Sequence, residues 1–508
     1  MPLMKALGRV LVANRGEIAV RVLTACREAG VPAAAVYSAA DRGALHVRRA
    51  ERAREIGPAP ARESYLDIER ILAAARQMGA GSVHPGYGFL AENAEFAAAV
   101  QAAGLVWIGP PPAAIRAMGE KTAARRTVEA VGVAVVPGTV EPARDPEAAS
   151  RAAAEVGYPL LLKAAAGGGG KGMRVVTQPG ELAAAFAAAS REAAAAFGDP
   201  ALYLERYLAD ARHVEIQILA DGSGRAIHLG ERECSLQRRH QKVLEEAPAP
   251  GLDPGTRSRM GAVAVRAAEA VGYVGAGTVE FLLAPDGSFW FLEMNTRLQV
   301  EHPVTELVTG IDIVRAQLSI ACGGPLPLAQ EELRLRGHAI ECRIAAEDAD
   351  RGFLPATGRI RGYREPGGPG VRVDSGIEAG SEITPHYDPL LLKLVVHAED
   401  REAALGRMER ALADLEIDGV TTNAGFQRAL VAHPAVREGS VHTRWLEEHA
   451  AEIVDAAAAR RRESEPLAAA IAAWRVAERG AAGVPATIPP ARSDAGRWRE
   501  AARWTGLR

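Results

Sequence analysis

Thr278-Val279-Glu280-Phe281-Leu282-Leu283-Ala284-Pro285-Asp286-Gly287-Ser288-Phe289-Trp290-Phe291-Leu292-Glu293 reads as two strands joined by a turn. Apolar and β-branched residues fill both arms, and Ala-Pro-Asp-Gly supplies the reversal. Each arm carries one carboxylate among apolar neighbours, Glu280 and Glu293. A carboxylate on a buried strand face is costly unless something compensates it. With Asn295 just beyond, the pair predicts a hard-oxygen site for Mg²⁺ or Mn²⁺. The plainer alternative is two exposed strand carboxylates, or salt bridges to Arg297. Acidic residues at facing strand positions beside an Asn favour the ion.

The chain continues as Met294-Asn295-Thr296-Arg297-Leu298-Gln299-Val300-Glu301-His302-Pro303. The planar fork of Arg297 suits a small oxyanion such as bicarbonate. Glu301 can take a proton if burial raises its pKa. Four residues apart, the two would otherwise be a surface helix pair, but Pro303 argues against a long helix there.

Upstream, residues 213–219 alternate like a strand. Cys234-Ser235-Leu236-Gln237-Arg238-Arg239-His240-Gln241-Lys242 is polar and basic. Its default reading is a solvated charged loop, and its functional one is a phosphate and anion site. Cys234 lacks an evident oxyanion partner or orienting Asn or Asp, which disfavours a thiol mechanism. Earlier still, residues 159–163 form a short strand that runs through Gly167-Gly168-Gly169-Gly170-Lys171-Gly172 into the strand 173–176. That is a hairpin with a mobile tip. Residues without Cβ let backbone N–H groups wrap an anion, and Lys163 and Lys171 add charge. Alone, the run is better read as a flexible turn, and it is not a P-loop.

At the N-terminus, strand (9–13), helix (18–29) and strand (31–37) predict a parallel α/β unit up to about residue 115. Downstream, Glu341-Cys342-Arg343 lies in a strand-like run, 339–344. Its Arg is an ion-pair partner or a holder of a developing oxyanion. Residues 401–415 predict an amphipathic helix, 454–477 a further helix and 481–493 a linker.

A chain of 508 residues calls for several domains. Net charge −3 with no long block of one sign gives no reason to expect nucleic acid. Four scattered cysteines argue against a disulfide framework or zinc site and fit a reducing cytosol. No export signal or membrane-length apolar run is present, so a cytoplasmic protein is expected.

Taken in order, Ala13-Asn14-Arg15-Gly16-Glu17-Ile18, His84-Pro85-Gly86-Tyr87-Gly88-Phe89-Leu90, the glycine run, 237–250, Gly275-Ala276-Gly277-Thr278 with Glu280, 293–306 and Glu341-Cys342-Arg343 resemble the biotin carboxylase family of the ATP-grasp superfamily. The resemblance spans residue 9 to about 446. It implies an α/β (α+β) chain: a doubly wound parallel N-terminal domain (1–115), an ATP-grasp domain (116–335) with a mobile glycine-rich lid at about 136–205, a mixed C-terminal domain (336–446) and a tail (447–508). It implies nucleotide contacts from Lys121, Lys163, Gly169, Gly170, Glu205, Arg206, Tyr207, Leu208, His213, Gln237 and His240. Metal would fall to Glu280, Glu293 and Asn295, with two ions expected. Bicarbonate and biotin would meet Lys242, Arg297, Gln299, Val300 and Arg343, with Glu301 as base and Arg343 steadying the biotin enolate. Ala166 and Lys171 depart from the family's usual lid residues, and Arg206 stands where Lys is common.

The implied cofactors are ATP and Mg²⁺ or Mn²⁺, with biotin as a carrier-bound substrate. No Ala-Met-Lys-Met motif occurs. A separate biotin carboxyl carrier protein and carboxyltransferase subunits are therefore expected, or else a longer polypeptide; a homodimer is expected by analogy. The rival readings are another ATP-grasp ligase that makes an acylphosphate, of the carbamoyl-phosphate type, and a nucleotide-binding regulatory subunit. Lys242 with Arg343 distinguishes the biotin reaction from the first. Retention of Glu301, Arg297 and both metal carboxylates argues against the second.

Overall fold

The computed structural model describes residues 3–139, 141–165 and 173–481, with only the backbone described at 3, 5, 121, 122 and 464–481. Packing divides the chain into residues 1–454 and 455–508. The second unit is described only as helix, within Trp445–Ala481. Among the described residues no helix is long and apolar enough to cross a membrane.

The first sheet follows the predicted alternation. Strands β1 (Arg9–Val12), β2 (Ala33–Tyr37), β3 (Arg52–Glu55), β4 (Ala80–His84) and β5 (Val106–Trp107) are all parallel, in the order β3-β2-β1-β4-β5. Both faces of β1 are buried: Val10 and Val12 pack into one core, Leu11 and Ala13 into another. That is why its sequence is a continuous apolar run. The strand order reverses beside β1, and the crevice outside the carboxyl ends of strands at such a point is where ligands bind in open α/β sheets. Asn14, Arg15 and Glu17 lie there after β1, and Tyr87, Gly88 and Phe89 after β4.

Two histidines in this domain are fully buried, His46 and His84. Burial lowers the pKa of each from 6.5 to about 4. Only the unfolded chain takes up these protons between those values. The stabilisation is therefore complete above about pH 6.5 and is lost as pH falls toward 4. Chemical denaturation at pH 7 and pH 4.5 should show a loss of a few kcal/mol, reduced in His46→Asn.

A small antiparallel sheet follows, from β6 (Leu160–Ala164), β7 (Arg174–Val176) and β8 (Leu202–Arg206) in the order β7-β6-β8. The helices Pro146–Val156 and Leu182–Phe197 pack on it around a core of its own. The predicted glycine tip, with Gly169 and Gly170, lies outside the described residues.

The largest element is an eight-stranded sheet: β9 (Arg212–Ala220), β10 (Ala226–Arg238), β11 (Gln241–Ala247), β12 (Gly275–Leu283), β13 (Phe289–Asn295), β14 (His338–Ala345), β15 (Val371–Ser375) and β16 (Leu390–Ala398). Its order is β13-β12-β9-β10-β11-β14-β16-β15. One sequence expectation is corrected here. Residues 234–242 are not a solvated loop but most of a hairpin, with Leu236 opposite Leu244 and Gln237 opposite Lys242. Arg239 and His240 form its two-residue turn at φ 49° and 63°, the left-handed backbone that tight hairpins need. The polar residues looked like a loop because this hairpin buries a polar face. As expected, no long helix carries Arg297 and Glu301: the short helix His302–Thr309 begins after both, with Pro303 in its first turn, where its missing N–H costs nothing.

Candidate active site

β12 and β13 pair antiparallel, with Glu280 directly opposite Glu293 and Thr278 opposite Asn295. Like charges at opposed positions repel. Glu280 is buried; Glu293 is exposed on the edge strand. Asn295 donates from Nδ2 to Glu280 Oε1 at 2.9 Å, and its Oδ1 accepts from Arg297 Nη2 at 3.0 Å. Two opposed carboxylates and an amide oxygen form a donor set that fits a divalent cation. A competing set, one atom each from His213, Glu215 and Glu280 within 4.8 Å, is already compensated by cations and suits an ion less well. Glu280→Gln should raise the Mg²⁺ concentration for half-maximal activity about tenfold; an unchanged metal titration would remove Glu280 from the ion site.

Beside this pair, Lys242 on β11 joins three strands and a loop. Its Nζ donates to Glu215 at 2.5 Å, Glu280 at 3.0 Å, Glu301 at 2.5 Å and Gln299 at 3.3 Å. Burial alone would lower its pKa, but Glu215, Glu280 and Glu301 hold it well above the usual lysine value. His213 Nε2 lies 3.3 Å from Glu280 Oε2. Burial opposes its charge, yet Glu280 and Glu215 raise its pKa to about 9. Glu280 is thereby held well below the ordinary carboxylate range.

Below them sits Arg232, wholly buried. Its five N–H groups reach Glu215 (2.6 Å), Gln217 (2.6 Å), Thr305 (3.0 Å), Thr278 (3.0 Å) and Gln299 (3.4 Å). No donor of the guanidinium is left over.

Glu301 stands at the residue before the helix His302–Thr309, its side chain making no capping bond to that helix. Besides Lys242 it accepts from Arg343 Nη2 at 3.0 Å, and Arg343 Nε donates to Glu245 at 2.6 Å. The expectation that burial raises the pKa of Glu301 is overturned. Burial does push it up, but Lys242, Arg343 and Arg232 outweigh burial and Glu215, and the net direction is down. Glu301 is an ionised acceptor held between two cations.

The other expected residues fall as follows. Arg297 lines the cleft with its Nε on Glu92 at 2.7 Å. Gln299 Nε2 donates to Glu280 at 2.9 Å. Val300 offers its carbonyl to Lys393 at 2.9 Å. Lys163 pairs with Glu205, which also accepts from Arg125 at 2.8 Å. Arg206 turns its Nε to the Val156 carbonyl at 3.0 Å, and its backbone N–H meets the Pro137 carbonyl. Tyr207 lies under Arg444 at 5.7 Å. Leu208, Gln237 and His240 line the same cleft. Lys121 opens the helix Lys121–Ala130, and its side chain lies outside the described residues. Cys234 is fully buried, and burial pushes its thiol pKa well up, in keeping with the absence of a thiol mechanism.

One cleft of about 1160 Å³ runs from Lys163 and Glu205 at one wall, past Lys242, Glu293 and Arg297, to Glu280, Glu301 and Arg343. That exceeds what a single small ligand needs and leaves room for a nucleotide and a second reactant. Sequence reading missed Glu92, Arg125, Glu215, Arg232, Glu245 and Lys393. Lys393 carried a signal, as a charge inside a mostly apolar strand, whereas Glu215 and Arg232 lie among other polar residues of their strands.

Fold and site together define a nucleotide-dependent ligase of the ATP-grasp type. Residues 6–115 match the family model for the biotin carboxylase N-terminal domain, 120–329 that for the carbamoyl-phosphate synthase L chain ATP-binding domain, and 341–448 that for the biotin carboxylase C-terminal domain. The chain is 51% identical over 440 residues to the biotin carboxylase of Nostoc sp., covering 87% of this chain and 98% of that one. It is 51% identical over 442 residues to the biotin carboxylase of Pseudomonas aeruginosa, again covering 87% and 98%. Among solved structures it resembles a biotin carboxylase–βγ-ATP complex from Campylobacter jejuni, at TM-score 0.84, 45% identity and 87% and 98% coverage. It also resembles the biotin carboxylase domain dimer of Hydrogenobacter thermophilus 2-oxoglutarate carboxylase, solved with MgADP, ADP and bicarbonate, at TM-score 0.83, 47% identity and 87% and 97% coverage. The chain belongs to the biotin carboxylase family and is an ATP-grasp ligase.

Proposed function

We propose that this chain carboxylates biotin borne by a separate carrier protein, consuming ATP and bicarbonate and releasing ADP and phosphate. The observation that carries the reading is the chain of contacts from Glu280 through Lys242 and Glu301 to Arg343. It sets a phosphate-side acid, a base and an oxyanion holder side by side.

Glu280, Glu293 and Asn295 would hold the divalent cation, which when bound neutralises triphosphate charge. Lys163 adds charge at the other wall, with Lys121 read as a second phosphate lysine. Gly169 and Gly170 belong to the lid that excludes water. Arg206, Tyr207, Leu208, Gln237 and His240 bound the adenosine end, and His213 and Glu205 brace it. Arg297, released from Glu92, orients bicarbonate with Gln299 and the Val300 backbone. Glu301 takes the bicarbonate proton, and the bicarbonate oxygen attacks the terminal phosphorus to give carboxyphosphate and ADP. Carboxyphosphate breaks into CO₂ and phosphate, and the phosphate accepts the ureido N–H proton of biotin. Protonated Glu301 no longer holds Arg343 by charge, so the guanidinium steadies the enolate oxygen while nitrogen attacks CO₂. We read 1–115, 116–335 and 336–446 as the parts serving this reaction. A carboxyltransferase then accepts the carboxyl group, and the dimeric Hydrogenobacter domain supports a homodimer.

The test is bicarbonate-dependent ADP release with and without free biotin. Biotin stimulation supports the reading; release indifferent to biotin points to an acylphosphate ligase. Arg343→Ala should cut biotin carboxylation about 10²–10³-fold, the cost of losing one oxyanion donor, with a smaller loss of biotin-independent ATP turnover. Equal losses in both would remove Arg343 from the biotin step.

A further inference from the structure

Behind Arg343 lie two carboxyl groups that the proposed mechanism does not use. Glu245 on β11 stands directly opposite Glu341 on β14 in the antiparallel register. Both are fully buried. Of their four oxygens, Glu245 Oε1 accepts from Arg343 at 2.6 Å. The other three, Glu245 Oε2 and both oxygens of Glu341, have no hydrogen-bond partner among the described residues.

Two adjacent anions with three oxygens unpaired by the protein would be strongly unfavourable in a fully buried site. The charges that reach them are Arg343 on β14, Lys242 on β11, Lys393 on β16 and Glu301 from the loop before His302. Lys393 is already engaged, with Val300 O at 2.9 Å, Glu17 at 3.3 Å and Asp374 at 3.6 Å. Lys242 serves Glu215, Glu280 and Glu301. Among the described residues, the one cation in direct contact is Arg343, on Glu245 alone, and it is shared with Glu301.

We propose that Glu245 and Glu341 form a singly protonated carboxyl pair in which Glu341 carries the proton, Glu245 carries the charge, and the pair positions Arg343 from behind. A neutral acid at 341 supplies an O–H for the vacant Glu245 oxygen across the strand pair. It also limits the negative charge on Arg343 to one carboxylate behind and one in front. When Glu301 is neutralised, Arg343 stays anchored by Glu245 and faces the cleft with its charge free. The directions of titration agree: burial drives Glu341 well above the ordinary carboxylate value against the opposing charges of Lys393 and Arg343, and drives Glu245 up to about 7 against Arg343. Glu245 and Glu341 are positioning residues, and their effect on turnover rests on the function proposed above.

The test uses the full chain. Infrared difference spectra should show the carbonyl band of a buried protonated carboxyl at neutral pH, and Glu341→Gln should remove it. Absence of the band, or its persistence in that variant, overturns the proposal. This readout does not need biotin turnover, so a failure of the functional reading is seen separately as lack of biotin stimulation in the wild type. In kinetics, the amide of Glu341→Gln stands in for the neutral acid. Biotin kcat/KM should stay within about threefold of wild type, as a preserved hydrogen bond permits. Glu245→Gln removes the anchoring charge and should raise KM for biotin about tenfold or more, the worth of a hydrogen bond to a charged group. Equal losses in both variants would show that 341 is needed as an anion and would overturn the proposal. If Glu341→Gln fails to fold, alkaline titration of the wild-type band decides in its place: loss of the band supports the assignment, and no band at any pH ends it.

Discussion

Glu301→Gln should lower bicarbonate-dependent ATP turnover about 10²–10⁴-fold, the usual worth of a positioned general base, with little change in KM for ATP. An amide keeps the size of the side chain and its contact to Lys242 but cannot accept a proton. Steady-state kinetics at saturating nucleotide would show it, and a kcat within threefold of wild type would place the base elsewhere. The direction of the Glu301 pKa adds a second reading. Because the pKa is lowered from 4.5, the base stays ionised through the neutral range. Any acid limb it causes in kcat lies below pH 4.5, and it flattens in the variant.

Arg232→Met should destabilise the fold by about 3–5 kcal/mol, because it removes one of the two cations that compensate the buried charge of Glu215. Glu215 is wholly buried, and among the described residues Arg232 and Lys242 are the cations within 3.0 Å of it. Gln217, Thr278 and Thr305 would lose their donor as well. Urea unfolding measures the loss. Adding Glu215→Gln should recover part of it, so that the double variant is less destabilised than the sum of the singles. A loss below about 1 kcal/mol would mean that Arg232 is not holding the floor of the site together.

Much of this was legible in the chain itself. The 278–293 hairpin gave the cross-strand acids, because alternation and turn chemistry are local properties. The N-terminal strands and the helix Arg401–Asp414 follow from the same kind of signal. What pairs with what was not legible. Glu301 meets Lys242 from 59 residues away and Arg343 from 42, and Arg297 meets Glu92 from 205. A rule that burial raises a carboxyl pKa fails for Glu301 because packing delivers cations that local sequence does not reveal. The 239–240 turn was hidden for a related reason: its flanking strands bury Glu233, Ser235 and Gln237, so polarity mimicked a loop. The anion role of the glycine run stays an expectation from composition.

The continuity of the eight-stranded sheet limits how this protein can be taken apart. Strands β9 to β13 come from residues before 300 and β14 to β16 from residues after 335, yet β11 and β14 are hydrogen-bonded neighbours. The cation end and the Arg343 end therefore ride on a single plate, and their spacing is fixed by covalent and ladder geometry. A crossover between homologues placed near residue 335 would cut through that plate, whereas one placed between residues 206 and 212 would exchange only what lies ahead of it. Viable chimeras should cluster at the second breakpoint and be depleted at the first.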